Sequence, residues 1–193
     1  FFDVRKDSQA MFEGLEISKN TALCSEWMNQ WPVLFLSFKD VDGNCFENAY
    51  EMLKFALSQA CITHTYLQQD PKIDDTFQKK FSALKDQTAS LQEVKTSILI
   101  LMQMMRDYYG KPVILLIDEY DVPIAKASAK GYYPEMLEVI KGLMSTALKD
   151  NDALRFAVIT GCLRIAKESI FTGTNNFVSD TISSSHLNEY FGF

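Results

Sequence analysis

The sequence predicts an α/β fold in which helices cover both faces of a parallel sheet. Three apolar runs, at residues 32–38, 113–117 and 154–159, lack the period-two alternation of half-exposed strands. Segments with apolar side chains at helical spacing separate these runs, as in parallel sheets built from βαβ units. The 193 residues are 47% hydrophobic, enough for one core, so we expect a single domain over 1–193.

The first half of the chain alternates between helix and strand signals. Residues 1–17 combine helically spaced apolar positions with Gly14, which predicts the tail of a helix followed by a turn. Pro32 introduces the continuous apolar run of the first strand. Residues 46–69 carry an apolar side chain about every three to four positions, which predicts one long amphipathic helix.

Two further helices are predicted before the second strand. One covers 75–84 and the other covers 90–109. Ser90 and Glu93 have the spacing of a capping box at the start of the second helix, and Gly110 stands where a glycine commonly ends one.

The chain after the second strand is predicted to continue as loop, helix and strand. Residues 126–134 contain Gly131 and Pro134, which indicate an irregular loop. A helix then covers 134–149, with its proline in the first turn, and leads to the third apolar run.

Composition and charge argue against several classes of function without excluding nucleic-acid binding. A formal net charge of −6 argues against a nucleic-acid surface over the whole domain. The four cysteines form no C-x-x-C pair, and the two histidines, His64 and His186, lack neighbours at metal-ligand spacing. No apolar run reaches the length of a bilayer span and no signal peptide opens the chain, so we expect a cytoplasmic protein without a membrane partner.

Three carboxylates follow the second apolar run. Asp118, Glu119 and Asp121 leave that strand at the edge where an open parallel sheet places its ligand crevice, and Thr160 and Gly161 leave the next strand there. Acid side chains in this position hold hydrated magnesium beside a nucleotide and orient the attacking water. The same pattern also arises where a chain simply leaves the core and solvates its turn, so both interpretations stay open from the residues alone.

An ordered set of segments resembles one protein family. The segments are "MFEGLEI" (11–17), "WPVLFLSF" (31–38), "VILLIDEYDVPI" (113–124), "LRFAVITGCLRIAKESIFTGTNNF" (154–177) and "NEYFGF" (188–193). Together they resemble the AAA-ATPase-like family of bacterial and archaeal P-loop ATPases, whose longer members often carry a PD-(D/E)xK nuclease-like domain at the C-terminus. The resemblance implies a three-layer P-loop NTPase core of the AAA/ASCE type, with ATP and Mg²⁺ as its ligands.

The resemblance also assigns roles to the carboxylates. It makes Asp118 the Walker B acid that orients magnesium and Glu119 the catalytic glutamate. Asp121 belongs to the same signature, and we group it with Asp118 as a metal-site residue. Thr160 falls where AAA-type proteins place a polar sensor near the γ-phosphate, although it could equally cap the turn at Gly161.

Two cations downstream complete the candidate site. Arg164 and Lys167 follow the third strand, where either could neutralise phosphate charge on the nucleotide. Both could instead be ordinary solvated cations.

The phosphate-binding loop of such an ATPase is absent from the sequence. No G-x-x-x-x-G-K-[ST] motif occurs in the 193 residues, and the chain begins on Phe1. We therefore expect an N-terminally truncated core that lacks the P-loop strand and neither binds ATP tightly nor hydrolyses it. Removal of that strand would leave an edge of the strand at 154–159 unpaired, which favours a homodimer through this edge.

Three functions other than an ATPase core are compatible with parts of the sequence. A DExD-type helicase shares the letters at 118–121 but would need a second lobe and further motifs. A metal-dependent nuclease could use Glu93 and Lys95 as an E-x-K half-motif, but these residues lie in a predicted helix. The non-enzymatic alternative is a regulatory or protein-interaction module that keeps an ATPase fold as its scaffold.

Overall fold

The sheet contains three parallel strands in the described part of the chain. The computed structural model describes residues 1–162 and 178–181. Strands β1 (Val33–Ser37), β2 (Val113–Asp118) and β3 (Leu154–Ile159) lie in the order β1-β2-β3. Both pairings are parallel, which confirms the α/β class and all three predicted strands.

Helices connect the strands and precede them. In the described residues they are α1 (Gln9–Phe12), α2 (Thr21–Trp27), α3 (Phe46–Thr63), α4 (Asp75–Lys85), α5 (Leu91–Lys95), α6 (Ser97–Tyr109), α7 (Val122–Lys130) and α8 (Tyr133–Leu148). Short 3₁₀ turns cover Glu16–Lys19 and Thr65–Leu67. Among these described helices, none combines the length and the apolar character needed to cross a membrane.

Two predicted helices are shorter than the sequence pattern indicates. The helix predicted over 46–69 ends at Thr63, and a 3₁₀ turn follows it. The helix predicted over 90–109 is two helices, because Thr96 turns its hydroxyl back to the Gln92 carbonyl, 3.0 Å away, and interrupts the helical backbone. The predicted capping box of Ser90 and Glu93 is confirmed at the start of α5.

The predicted loop at 126–134 is wrong, since most of it belongs to α7. Pro123 stands in the first turn of this helix, where its missing N–H costs nothing, and Gly131 ends it with a left-handed φ of 85°. The predicted helix end and turn within 1–17 are confirmed only for α1 and the turn at Gly14. Asp3 instead forms an isolated parallel bridge with Trp31, and only α1 and a 3₁₀ turn follow.

Helices α3, α6 and α8 cover one face of the sheet and contact β1, β2 and β3 respectively. Alternate residues of β2 point into this core, and Val113, Leu115 and Ile117 are at most 2% exposed. The main core is therefore a layer of helices packed on one side of three short strands.

The opposite face of the sheet is covered mainly near the amino ends of its strands. Phe2 and Trp27 pack their rings against Phe156 of β3, with ring centroids 5.8 Å away in both cases. Nearer the carboxyl ends, Phe35 is 57% exposed and Val158 is 47% exposed. The segment before β1 thus supplies a third layer that leaves the functional end of this face open among the described residues.

Candidate functional site

The carboxyl ends of the three strands are joined by backbone hydrogen bonds. Phe38 N–H, just after β1, donates to the Asp118 carbonyl at 3.0 Å. Thr160 N–H, just after β3, donates to the Ile117 carbonyl at 2.9 Å, and Tyr120 N–H donates to the Thr160 carbonyl at 3.1 Å. The end of β2 is therefore held from both sides, and the residues that follow all three strands meet at one edge of the sheet.

Asp118 and Thr160 contact each other directly at this edge. The Thr160 hydroxyl donates to Asp118 Oδ1 with an O···O distance of 2.5 Å. A hydroxyl bond to an ionised carboxylate is short and strong, so it fixes the carboxylate orientation. The structure thus brings together two residues that the sequence placed on different strands, 42 positions apart.

Glu119 has an unusual backbone conformation. Its φ is 54°, in the left-handed region that side chains other than glycine rarely occupy. The hydrogen bonds that fix residues 117–120 to the neighbouring strand ends leave this turn little freedom to relax. Strained residues of this kind cluster at functional sites, where the surrounding structure compensates for the cost.

Asp121 lies deeper than the other two carboxylates. It is 2% exposed and directly precedes α7, where its carbonyl accepts from Ala125 N–H at 2.8 Å. The pKa of the neighbouring Tyr120 phenol is raised, first by the burial of that phenol and then by the nearby Asp121 charge. Asp121 is therefore built into the wall of the site.

Gly161 allows β3 to approach this wall closely. A Cβ added at Gly161 would stand 2.5 Å from Asp121 Oδ1 and 2.7 Å from a ring carbon of Tyr120. Both distances are shorter than real Cβ contacts, so any side chain here would push β3 and the turn after β2 apart. Sequence reasoning treated Gly161 only as a turn residue and missed this packing role.

The carboxylates do not form a preorganised metal cage. Within residues 1–162 and 178–181, no group of three or more His, Cys, Asp or Glu side chains is arranged to hold a metal ion. The predicted metal roles of Asp118 and Asp121 stay predictions.

Comparison with known proteins assigns the chain to a family. A family model described as predicted AAA-ATPase matches residues 1–171. The chain belongs to this AAA-ATPase family. The match includes all three strands and the turn that carries Asp118, Glu119 and Asp121.

One curated relative of this AAA-ATPase chain covers a smaller part of it. An uncharacterized protein in the vnfD 5′ region of Azotobacter chroococcum mcd 1 is 37% identical over 79 residues. This similarity covers 39% of the chain and 15% of the length of that relative. No solved structure matches the chain.

The remaining predicted site residues cannot be placed in the AAA-ATPase site. Arg164 and Lys167 lie outside the described residues, and their phosphate-binding roles stay predictions. Ser37, by contrast, was not predicted, although it ends β1 in register with Asp118 and is half-buried. A polar residue that ends a strand at the same edge is the signal that could have found it.

The two residues of the nuclease half-motif lie in α5, as predicted, and have other partners in the structure. Glu93 accepts from Ser90 N–H at 2.8 Å in the capping box, and this backbone hydrogen bond lowers the pKa of Glu93. Lys95 pairs with Glu138 of α8 at 2.5 Å. Both side chains stabilise helix ends and helix packing, far in sequence from the carboxylates after β2.

Proposed function

We propose that this chain supplies the Walker B and sensor half of an ATP-hydrolysing site. The observation that carries the proposal is the hydrogen bond from Thr160 to Asp118 at the carboxyl edge of a parallel sheet, with Glu119 as the next residue. A parallel α/β sheet places its ligand crevice at this edge. Membership of the AAA-ATPase family supports ATP as the ligand.

Each residue has a definite part in this proposal. Asp118, oriented by the Thr160 hydroxyl, holds its oxygens toward the space in front of the sheet, where bound Mg²⁺ would neutralise phosphate charge. Glu119 turns away from the strand direction through its left-handed backbone and accepts a hydrogen bond from the attacking water. Asp121 and Gly161 form the packed support behind them.

The phosphate cradle must come from residues outside this sequence. No G-x-x-x-x-G-K-[ST] motif occurs in the 193 residues. In the described part of the chain β3 pairs with β2 alone, so its second edge is available to a P-loop strand. Without that strand the same edge is available to a second copy of the chain, and we propose that the 193-residue chain alone does not hydrolyse ATP. The nuclease-like domain of longer family members would follow this core.

ATP turnover by the full-length protein tests the proposal. We expect Glu119→Gln to lower kcat by roughly 100-fold or more while ATP binding is retained, because the general base is lost and the phosphate contacts remain. Asp118→Asn should weaken the dependence of ATP turnover on Mg²⁺ concentration. Glu135→Gln, an exposed glutamate in the first turn of α8, is the control and should leave turnover unchanged.

Two results would contradict the proposal. One is an unchanged turnover number in the Glu119→Gln protein. The other is hydrolysis by the 193-residue chain alone that depends on Glu119, since this would place a complete site within these residues. If the full-length protein shows no Mg²⁺-dependent ATP binding, the regulatory or protein-interaction module is the better description, and the absence of a P-loop motif in the 193 residues favours that alternative.

A further inference from the structure

Among the described residues, the outer edge of β1 leaves backbone groups without a strand partner. Ile114 N–H donates to the Pro32 carbonyl at 2.9 Å, and Phe38 N–H donates to the Asp118 carbonyl, so the even-numbered residues of β1 face β2. Because the direction of backbone groups alternates along a strand, the odd-numbered residues point their N–H and C=O groups away from β2. These residues are Val33, Phe35 and Ser37.

An apolar groove of about 310 Å³ runs along this edge between β1 and α3. The α3 side of the groove is one helical stripe made of Met52, Phe55, Ala56, Gln59, Ala60 and Thr63. Phe55 is 46% exposed in this stripe, and Ile62, two turns further along α3 and outside the groove lining, is 48% exposed. With Met52, and with Phe35 on the open sheet face of the same edge, they are four of the eleven large hydrophobic side chains exposed in the described residues.

Between Val33 and Ser37 nothing in β1 itself protects this edge, whereas just before the strand Trp31 already pairs with residues 2–4 on the same side. The strand contains no charged residue and no proline between Val33 and Ser37. Exposed edges of soluble sheets usually carry such residues or are covered. An apolar, unprotected edge beside an apolar helical stripe therefore indicates a surface that another chain segment covers.

We propose that a second copy of this chain covers the edge. A two-fold axis at Phe35 pairs β1 antiparallel with β1 of the other copy, so that the two Phe35 residues exchange backbone hydrogen bonds and Val33 pairs with Ser37. The same axis places the α3 stripes against each other, with Met52 and Phe55 as their exposed apolar side chains. The sheet then continues through six strands.

The charges at the two ends of the groove fit this antiparallel arrangement. Asp40 lines the groove at the carboxyl end of β1. At the opposite end Arg5, which also pairs with Asp3, donates to the Thr63 carbonyl at 3.2 Å. The two-fold axis brings Asp40 of each copy toward the Arg5 end of the other, whereas a parallel arrangement would place like ends together.

The size of the surface indicates a reversible dimer. An 18-residue helix is about 27 Å long and about 10 Å wide, and a five-residue strand adds an edge of about 17 Å. The footprint is on the order of 450 Å² per copy, below the roughly 800 Å² per partner of a standard stable interface. We therefore expect monomer and dimer to exchange with protein concentration. This inference is independent of the ATPase proposal, since it concerns the opposite edge of the sheet from β3.

Sedimentation of the chain over a wide concentration range tests the proposal. We expect a concentration-dependent dimer whose dissociation constant rises at least tenfold in both Phe35→Pro and Phe55→Glu. Proline at position 35 removes only an outward N–H and leaves the pairing of β1 with β2 intact. Phe55→Glu places a charge in the α3 stripe. Leu91→Glu is the matched control, because Leu91 is 47% exposed on α5 and α5 packs on α4, α6 and α8.

Hydrogen exchange supplies a readout that does not depend on variants. The Phe35 amide should become protected as concentration rises, while the Leu36 amide, which points to β2, should keep the same protection. A chain that stays monomeric at every concentration overturns the proposal. So does a dimer that persists unchanged in both variants, because it would form through another surface such as the β3 edge.

Discussion

Strand β2 consists of two parts that differ in what their residues contribute to stability. In its body, Val113, Ile114 and Leu115 are fully buried, and Val113 and Leu115 belong to the main core. At its end, Asp118 bonds to an exposed threonine and Glu119 has a left-handed backbone. The body is arranged for packing, whereas the end holds conformations that cost free energy, as expected where a protein positions reactive groups.

The positions of positive φ angles among the described residues distinguish Glu119 from the other turns of the molecule. Five residues other than glycine have such angles. Four of them follow helical segments, where a left-handed residue is a common way to end a helix; they are Asn29, Gln69, Gln87 and Asp150. Glu119 follows a strand instead. Its conformation therefore belongs to the site and is not a general feature of the turns.

The largest expected effect comes from the body of β2. Leu115→Ala should lower the free energy of unfolding by roughly 3 kcal/mol, because it leaves a cavity in the helix-covered core. Leu116→Ala, on the half-buried face, is the matched control and should cost about 1 kcal/mol. Urea titration of both variants measures the difference. Equal losses would show that the two faces of β2 are packed alike.

A buried histidine extends the comparison to polar groups that serve packing. His64 is 2% exposed, and a hydrogen bond of 2.9 Å joins its Nδ1 to the Tyr66 hydroxyl. Burial and then the nearby Arg5 charge lower the pKa of His64 from 6.5 to about 4. Between pH 4 and pH 6.5 the unfolded chain therefore binds a proton at His64 that the folded chain does not bind. The free energy of unfolding consequently decreases as pH falls from 6.5 toward 4.

We expect the titration of His64 to lower the free energy of unfolding by about 2 kcal/mol between pH 7 and pH 5. Thermal or urea unfolding at the two pH values measures it, and His64→Phe should flatten the dependence. His186→Gln is the control for the other histidine of the sequence. A dependence that survives in His64→Phe would assign the titration to another group.

The buried and regular parts of the fold were predictable because local pattern determines them. The three strands form mainly apolar runs, and the rule that parallel strands end at one edge predicted that Asp118 and Thr160 lie at the same edge. The capping box of α5 was equally local. These features depend on spacing along the chain, which the sequence contains directly.

The features that were missed depend on neighbours distant in sequence. The split at Thr96 follows from a side chain turning back on its own helix, and α7 was hidden by Gly131 and Pro123, which suit a loop as well as a helix end. The close approach of Gly161 to Asp121 and the left-handed backbone of Glu119 arise only once β3 packs beside β2. No local pattern encodes that contact.

An intermediate effect is expected where β3 contacts the wall of the site. Gly161→Ala should lower the free energy of unfolding by about 1 to 3 kcal/mol, because its Cβ would collide with Asp121 and Tyr120. Gly142→Ala is the matched control: its Cβ would also meet an atom within 3 Å, but that atom is Cγ of the flexible Lys95 side chain. Thermal unfolding compares the two variants. A similarly small decrease in the free energy of unfolding in both would mean that Asp121 and Tyr120 move aside to accommodate the added methyl group.

The smallest expected effect has the opposite sign and comes from Glu119. Glu119→Gly should raise the free energy of unfolding by about 1 kcal/mol, because glycine adopts a φ of 54° without steric cost. Glu119→Ala distinguishes the effect of backbone strain from that of losing the carboxylate. Alanine keeps the strained backbone, so this variant should not be stabilised. Urea unfolding of the three proteins measures the order. If glycine is not more stable than alanine here, the end of β2 carries no backbone strain, and its contrast with the body lies in side-chain chemistry alone.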